Sequence, residues 1–319
     1  MRFAVLIALA TNIACATSGT TAGAPSAGAH SAHSAPKADA APATPPAVLT
    51  TFDMPKLDGL TGLKGRMVNE RVYRVDMIRP ETPVTAENVK IISGFALPTW
   101  ATFQHVDAQT TMVMGDIFLT EYQITPIMKK ALELGFEVTA LHNHFLWETP
   151  KVMFMHFAGM GNIDQLAGNV GTLFKELKVP VVTRPVRPVI DSGASKLNAE
   201  AIDAAIGYKG RDRNGTYLLA IDRPVKMGGH DVAPGMMMAT LVLMAGTQEM
   251  AFATGDIAVY PQHMQAVIKA CLDRGMDVVS IHNHMVDDEP RTMFVHYWVY
   301  GPAVEIATKL KEVFAKAPQ

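Results

Sequence analysis

Cysteine is nearly missing from this 319-residue chain, which holds two, Cys15 and Cys271. That excludes a disulfide-stapled scaffold and a cysteine-bound zinc ribbon. Cys271 stands alone in a stretch with helical spacing and reads as a small buried apolar residue. Positive charge is in no excess: the net charge is −2, so there is no basic footprint and nucleic acid is excluded as a partner. Aromatics make up only 7%. No apolar run reaches the ~20 residues of a membrane-spanning helix. The chain also lacks a Gly-x-Ser-x-Gly elbow, a P-loop and a dinucleotide fingerprint.

What is present is a hydrophobic content of 49%, including 20 methionines, enough for sizeable cores. The length suits two domains.

Residues 1–16 read as an export signal: Arg2, the apolar run Phe3–Ala10, then small residues. Cys15 admits two readings. Ile13-Ala14-Cys15 resembles a lipoprotein cleavage box, and a lipid on Cys15 would then be the only attachment to a membrane. Ala14-Cys15-Ala16 suits ordinary signal peptidase instead. Both place the mature protein in the periplasm or cell envelope. Residues 17–50 are Ala, Ser, Pro, Gly and Thr with His30 and His33. Such a composition buries too little apolar surface to offset the entropy of ordering, which predicts a disordered linker.

The remainder is written twice. Leu141–Gly161 recurs as Ile281–Gly301, and His142, His144, Pro150, Phe154 and His156 each have a counterpart 140 residues on. From Gly115 to Gly161 the copies align without a gap at roughly one-third identity. Each is too long for a solenoid unit. The expected architecture is α+β: a first repeat over 51–180 and a second over 196–316, each an antiparallel sheet with packed helices, related by a pseudo-twofold. Alternation predicts strands at Thr111–Leu119, Glu137–His144 and Lys151–Ala158, the last two as a hairpin. Helical spacing predicts helices over Pro126–Leu134 and from an Asn162 N-cap onward. The second repeat follows suit, with strands Glu249–Val259, Asp277–His284 and Arg291–Val299, and helices Gln262–Leu272 and Ala303–Phe314.

Alternate residues of a strand share a face. His142 and His144 then project together, as do His282 and His284, and a hairpin partner brings His156 or His296 across. Three imidazoles with an open position is the layout of a catalytic zinc site. Copper, iron and nickel accept the same donors. Glu148 in the first copy, and Asp288 and Glu289 in the second, are the loop carboxylates available as a fourth ligand or general base. Histidines that only brace a hairpin are the bland alternative. Gly115-Asp116 and Gly255-Asp256 recur and read as strand-end bends, while Arg79 and Arg223 read as structurally paired or solvated.

The order Gly-Asp-Ile, helix, Leu-x-x-Gly, His-Asn-His, Pro, Phe-x-His and amphipathic helix resembles the LppY/LpqO family of bacterial exported proteins and lipoproteins. The likeness runs from about Leu57 to the C-terminus. It implies envelope localisation and no established activity. The first copy departs from the second where Trp147-Glu148-Thr149 replaces the acidic run Asp287-Asp288-Glu289. The functional expectation is an exported metalloprotein with one three-histidine site per repeat. At least one site would be hydrolytic toward a small-molecule substrate through metal-activated water. The alternative is a non-catalytic metal-handling or structural ligand-binding protein. Zinc is the expected metal, with copper or iron as alternatives.

Overall fold

The structure is a computed structural model that describes residues 51–179 and 186–318. The export signal, Cys15 and the 17–50 linker lie outside the described residues.

The first repeat runs α1 (Met54–Thr61), β1 (Arg66–Asn69), β2 (Val72–Asp76), β3 (Val84–Ala86), β4 (Val89–Ile91), β5 (Thr99–His105), β6 (Thr111–Thr120), α2 (Glu121–Glu133), β7 (Glu137–His142), β8 (Glu148–Thr149), β9 (Val152–Gly161) and α3 (Ile163–Glu176). The second runs α4 (Ala199–Ile206), β10 (Arg211–Arg213), β11 (Thr216–Asp222), β12 (Lys226–Met227), β13 (His230–Asp231), β14 (Ala239–Gly246), β15 (Ala251–Val259), α5 (Pro261–Asp273), β16 (Asp277–His282), β17 (Asp288–Glu289), β18 (Met293–Gly301) and α6 (Ala303–Phe314). This is the expected α+β class. Local chemistry sets many of the boundaries. The Asn162 side chain accepts from the Asp164 and Gln165 backbone N–H groups at the start of α3, and Asn198 caps α4 in the same manner. Gly207 closes α4 with a left-handed φ of 82°.

Twelve strands form one sheet in the order β1-β2-β5-β6-β9-β7-β16-β18-β15-β14-β11-β10. The order is the same from either end, so the halves are copies related by a pseudo-twofold between β7 and β16. They meet edge to edge, with Leu141 opposite Ile281. Side chains reinforce the seam. The Gln265 amide bonds the backbone N–H and C=O of Val138, at 2.9 and 3.0 Å, where a bulge interrupts the β7–β9 register. The Thr125 hydroxyl donates to Asp277 at 2.8 Å.

One face of the sheet carries the helices. Val113, Ile117 and Leu119 of β6, with Met155 and Phe157 of β9, share a core with Ile127 of α2 and Val170 of α3. That core continues unbroken into the second repeat. The other face is only partly covered. Two small sheets, β4-β3-β8 and β13-β12-β17, each cap one end of it. The first roofs Phe118, Val152 and Phe154, and the second roofs Ala258 and Phe294. No described helix is long and apolar enough to cross a membrane.

Candidate metal centre

Both histidine clusters lie on the partly covered face, one on each side of the β7–β16 seam. Three strands build each cluster. In the first, β9 lies between β6 and β7, with Asp116 opposite His156 on one side and Ala140 opposite it on the other. In the second, Asp256, His296 and Ser280 occupy the same row. His142 and His282 are the last residues of β7 and β16, so the strands stop two residues sooner than alternation predicts. A turn then swings the next histidine back. It is held by the Asn143 side chain donating to the Phe145 carbonyl at 2.9 Å, and by Asn283 donating to the Met285 carbonyl. His144 lands flat on Phe154 and His284 flat on Phe294, each with ring centroids 3.5 Å apart. The phenylalanine of each Phe-x-His is thus the platform for the middle histidine.

The ring spacings bear on whether an ion could be shared. Three imidazoles bound through one nitrogen each at about 2.0–2.1 Å have ring centroids about 5 Å apart. In the first cluster His142 lies 5.1 Å from His144 and 5.0 Å from His156, centroid to centroid. In the second, His282 lies 5.3 Å from His284, while His296 stands off at 6.4 Å. One donor atom each from Asp256, His282 and His284 lies within 4.8 Å of the other two.

The aspartates are what the sequence reading missed. They sit mid-strand, not at a bend. Asp116 is only 4% exposed, and its Oδ1 has no hydrogen-bond partner among the described residues. Burial raises its carboxyl pKa, against the pull of His156 and His142. Asp256 accepts from His296 Nδ1 at 2.8 Å, with His282 Nε2 at 3.5 Å and His284 Nε2 at 3.7 Å. Burial also pushes Asp256 up, but the His296 bond and the three imidazoles together outweigh it, leaving the pKa below the ordinary value. Desolvation lowers the pKa of His144 and His282, which favours the neutral, ligating form.

The loop carboxylates do other things. Asp288 turns into its own loop, accepting from the Thr292 backbone N–H at 2.6 Å with Arg291 Nη1 at 3.6 Å. Glu148 pairs with Ala86 in one small sheet, and Glu289 with Lys226 in the other. In the second cluster the carboxylate in contact with the imidazoles is Asp256.

The neighbouring glycine explains the Gly-Asp pair. A Cβ on Gly115 would lie 2.2 Å from the Phe157 ring, and one on Gly255 would lie 2.1 Å from the Leu241 carbonyl oxygen. A bare residue on the helix face lets the strand seat its aspartate on the other. Arg79 and Arg223 are buried and structural. Arg79 Nη1 donates to the Phe118 carbonyl at 2.6 Å, and Arg223 Nε donates to the equivalent Ala258 carbonyl at 2.7 Å. Cys271 is buried, and desolvation pushes its thiol up to about 12.

Residues 55–176 and 200–316 each match the family model described as Domain of Unknown Function (DUF1259). No curated protein matches the chain. Among solved structures, aspartate kinase from Synechocystis is similar at 8% identity and a TM-score of 0.15. That match covers 69% of this chain and 41% of the kinase, and it carries no argument about fold or function.

Proposed function

The chain belongs to the DUF1259 family, whose description leaves function open, and from the site itself we propose an exported metalloprotein with one metal centre in each repeat. His142, His144 and His156 with Asp116 would form one centre, and His282, His284 and His296 with Asp256 the other. The observation that carries this reading is the mutual approach of Asp256, His282 and His284 to within 4.8 Å in the second repeat; the first centre is inferred from the matching positions of its histidines and aspartate.

Imidazole nitrogen and carboxylate oxygen suit zinc, which we assign, and they also suit copper and iron. Zinc held there supplies Lewis acidity and brings the pKa of a water toward neutrality. Asp256, His282 and His284 would hold the ion, and three protein donors are the number typical of a catalytic rather than a storage site, which favours a hydrolytic centre. His296, bonded to Asp256, orients that carboxylate. The exposure of His144 and His284 supports a second reading, a metal-handling protein whose cargo exchanges at the loop. The leader and the LppY/LpqO resemblance support envelope location, with Cys15 as a lipid anchor.

Elemental analysis of protein purified from its native compartment should find two equivalents of metal per chain, removable by chelator. Metal-free protein that takes up neither zinc, copper nor iron would return the histidines to a framework role. Chelator-sensitive hydrolysis of simple esters or phosphoesters, lost in His284→Ala, separates the enzyme from the metal carrier.

A further inference from the structure

Beside the second histidine cluster, on the same sheet face, lies a hollow of about 370 Å³. Its floor is apolar: Leu218 and Leu243, paired across β11 and β14, together with Phe252. Phe252 is itself stacked on Trp298 with centroids 4.9 Å apart. Hydroxyl, amide and guanidinium groups edge it, from Thr216, Thr254, Asn214 and Arg213. Arg213 is the only charged residue among the described residues lining it. Thr254 joins the hollow to the cluster, because its hydroxyl lies 3.1 Å from His296 Nε2.

The corresponding strands of the first repeat carry different side chains. Cross-strand register makes Arg74, Thr102, Met112 and Met114 the counterparts of Leu218, Leu243, Phe252 and Thr254. Arg74, where the second repeat has Leu218, lies over the Trp100 ring at 4.7 Å and donates to Asp76, so a charged side chain replaces an apolar one on this strand.

We propose that this hollow binds a small amphipathic monoanion, a flat apolar body carrying one carboxylate or phosphate, and that it is the substrate pocket of the second centre. The second half of that statement rests on the metal-centre reading, and the first does not. The volume falls in the range of small-molecule sites. Apolar walls with a cation at the rim select an apolar body with one negative charge, because any further charged or strongly polar group would lose hydration without replacement. Arg213 binds the anion, and Thr254 and Asn214 accept or donate beside it.

The test is calorimetric titration of the full protein, with and without zinc, using the monoanions methyl phenyl phosphate and 4-phenylbutyrate and neutral benzyl alcohol as probes. Both anions should bind more tightly than the alcohol. Arg213→Ala should weaken the anions ~5-fold and leave the alcohol unchanged, as expected for one partly exposed charged contact. Leu243→Arg, which places a long charged side chain on the apolar floor, should abolish binding of all three. Thr102→Arg in the first repeat should change nothing. Binding indifferent to Leu243→Arg overturns the site, and equal affinity for alcohol and anions overturns the ligand class. Zinc content measured on the same samples separates the two readings. Zinc uptake without anion binding removes the pocket alone, whereas anion binding without zinc uptake keeps the pocket and removes the centre.

Discussion

The two repeats carry the same histidines and aspartates, yet the second cluster is knit together and the first is not. Asp256 accepts from His296, whereas Asp116 has an oxygen with no partner. The cause lies one residue out. His296 Nε2 faces the Thr254 hydroxyl at 3.1 Å and His282 Nδ1 faces the Ser280 hydroxyl at 3.3 Å. The corresponding residues of the first repeat are Met114 and Ala140, which offer no hydrogen bond of that kind. An imidazole whose far nitrogen is engaged has its orientation fixed and presents the other nitrogen to the carboxylate. The comparison teaches that ligand identity was kept while the groups that aim the ligands diverged. On the proposed reading the second centre would be preorganised, and the first would be ordered only on binding an ion.

The sharpest way to break this comparison is to remove one aspartate at a time. Asp256→Ala and Asp116→Ala should each lower bound metal by about one equivalent, read by elemental analysis. If Asp116→Ala retains full metal, the repeats differ in ligand set and not merely in orientation.

Next in size is the glycine beneath the aspartate. Gly255→Ala should destabilise by about 2–3 kcal/mol in denaturant unfolding, since the new Cβ meets backbone and must also adopt a φ of 150°. Gly115→Ala should cost about 1–2 kcal/mol, because most of its clash is with the Phe157 ring, which can shift. Equal costs would show that the backbone difference between the repeats carries no strain.

Exchanging the aiming residues sharpens the comparison further. Thr254→Met should weaken metal binding at the second centre about 10-fold, and Met114→Thr should strengthen the first by a similar factor, in competition with a chelator. No change in either would leave the orientation argument without support.

The smallest expected effect is one the repeats share. The Tyr217 hydroxyl donates to Asp203 at 2.8 Å, and Tyr73 does the same to Asp58. Tyr217→Phe and Tyr73→Phe should each cost about 1 kcal/mol. Unequal losses would extend the divergence from the metal-facing side to the helix side.

The repeat, the helices and the histidine strands were legible because each rests on a period of 2 or 3.6 sustained over several residues. The small sheets were not: β8, β12, β13 and β17 have two residues each, too few to show alternation. Asp116 was misread for a related reason. A glycine inside a strand looks like a break in the pattern, and the residue that justifies it, Phe157, belongs to β9, some forty positions later. The available signal was alternation itself, since Asp116 shares a face with Phe118 while Val113 and Ile117 face the core. Arg79 and Arg223 were legible as paired arginines, though their carbonyl partners, on β6 and β15, were not.

The seam between β7 and β16 has a consequence for how such a chain could arise. Each repeat by itself would leave the strand bearing its histidine pair as a bare edge, with its hydrogen-bonding groups unmet. At the far ends of the sheet the problem is small, because β1 and β10 are short and carry Arg66, Arg211 and Arg213. A half-length ancestor would therefore have closed its inner edge on a second copy of itself, as a symmetric homodimer. Residues 51–179 expressed alone should sediment as that dimer; a stable monomer would refute the idea. Joining two such copies in one chain would make the association permanent and release the halves from having to be identical, as Arg74 in one and Leu218 in the other illustrate.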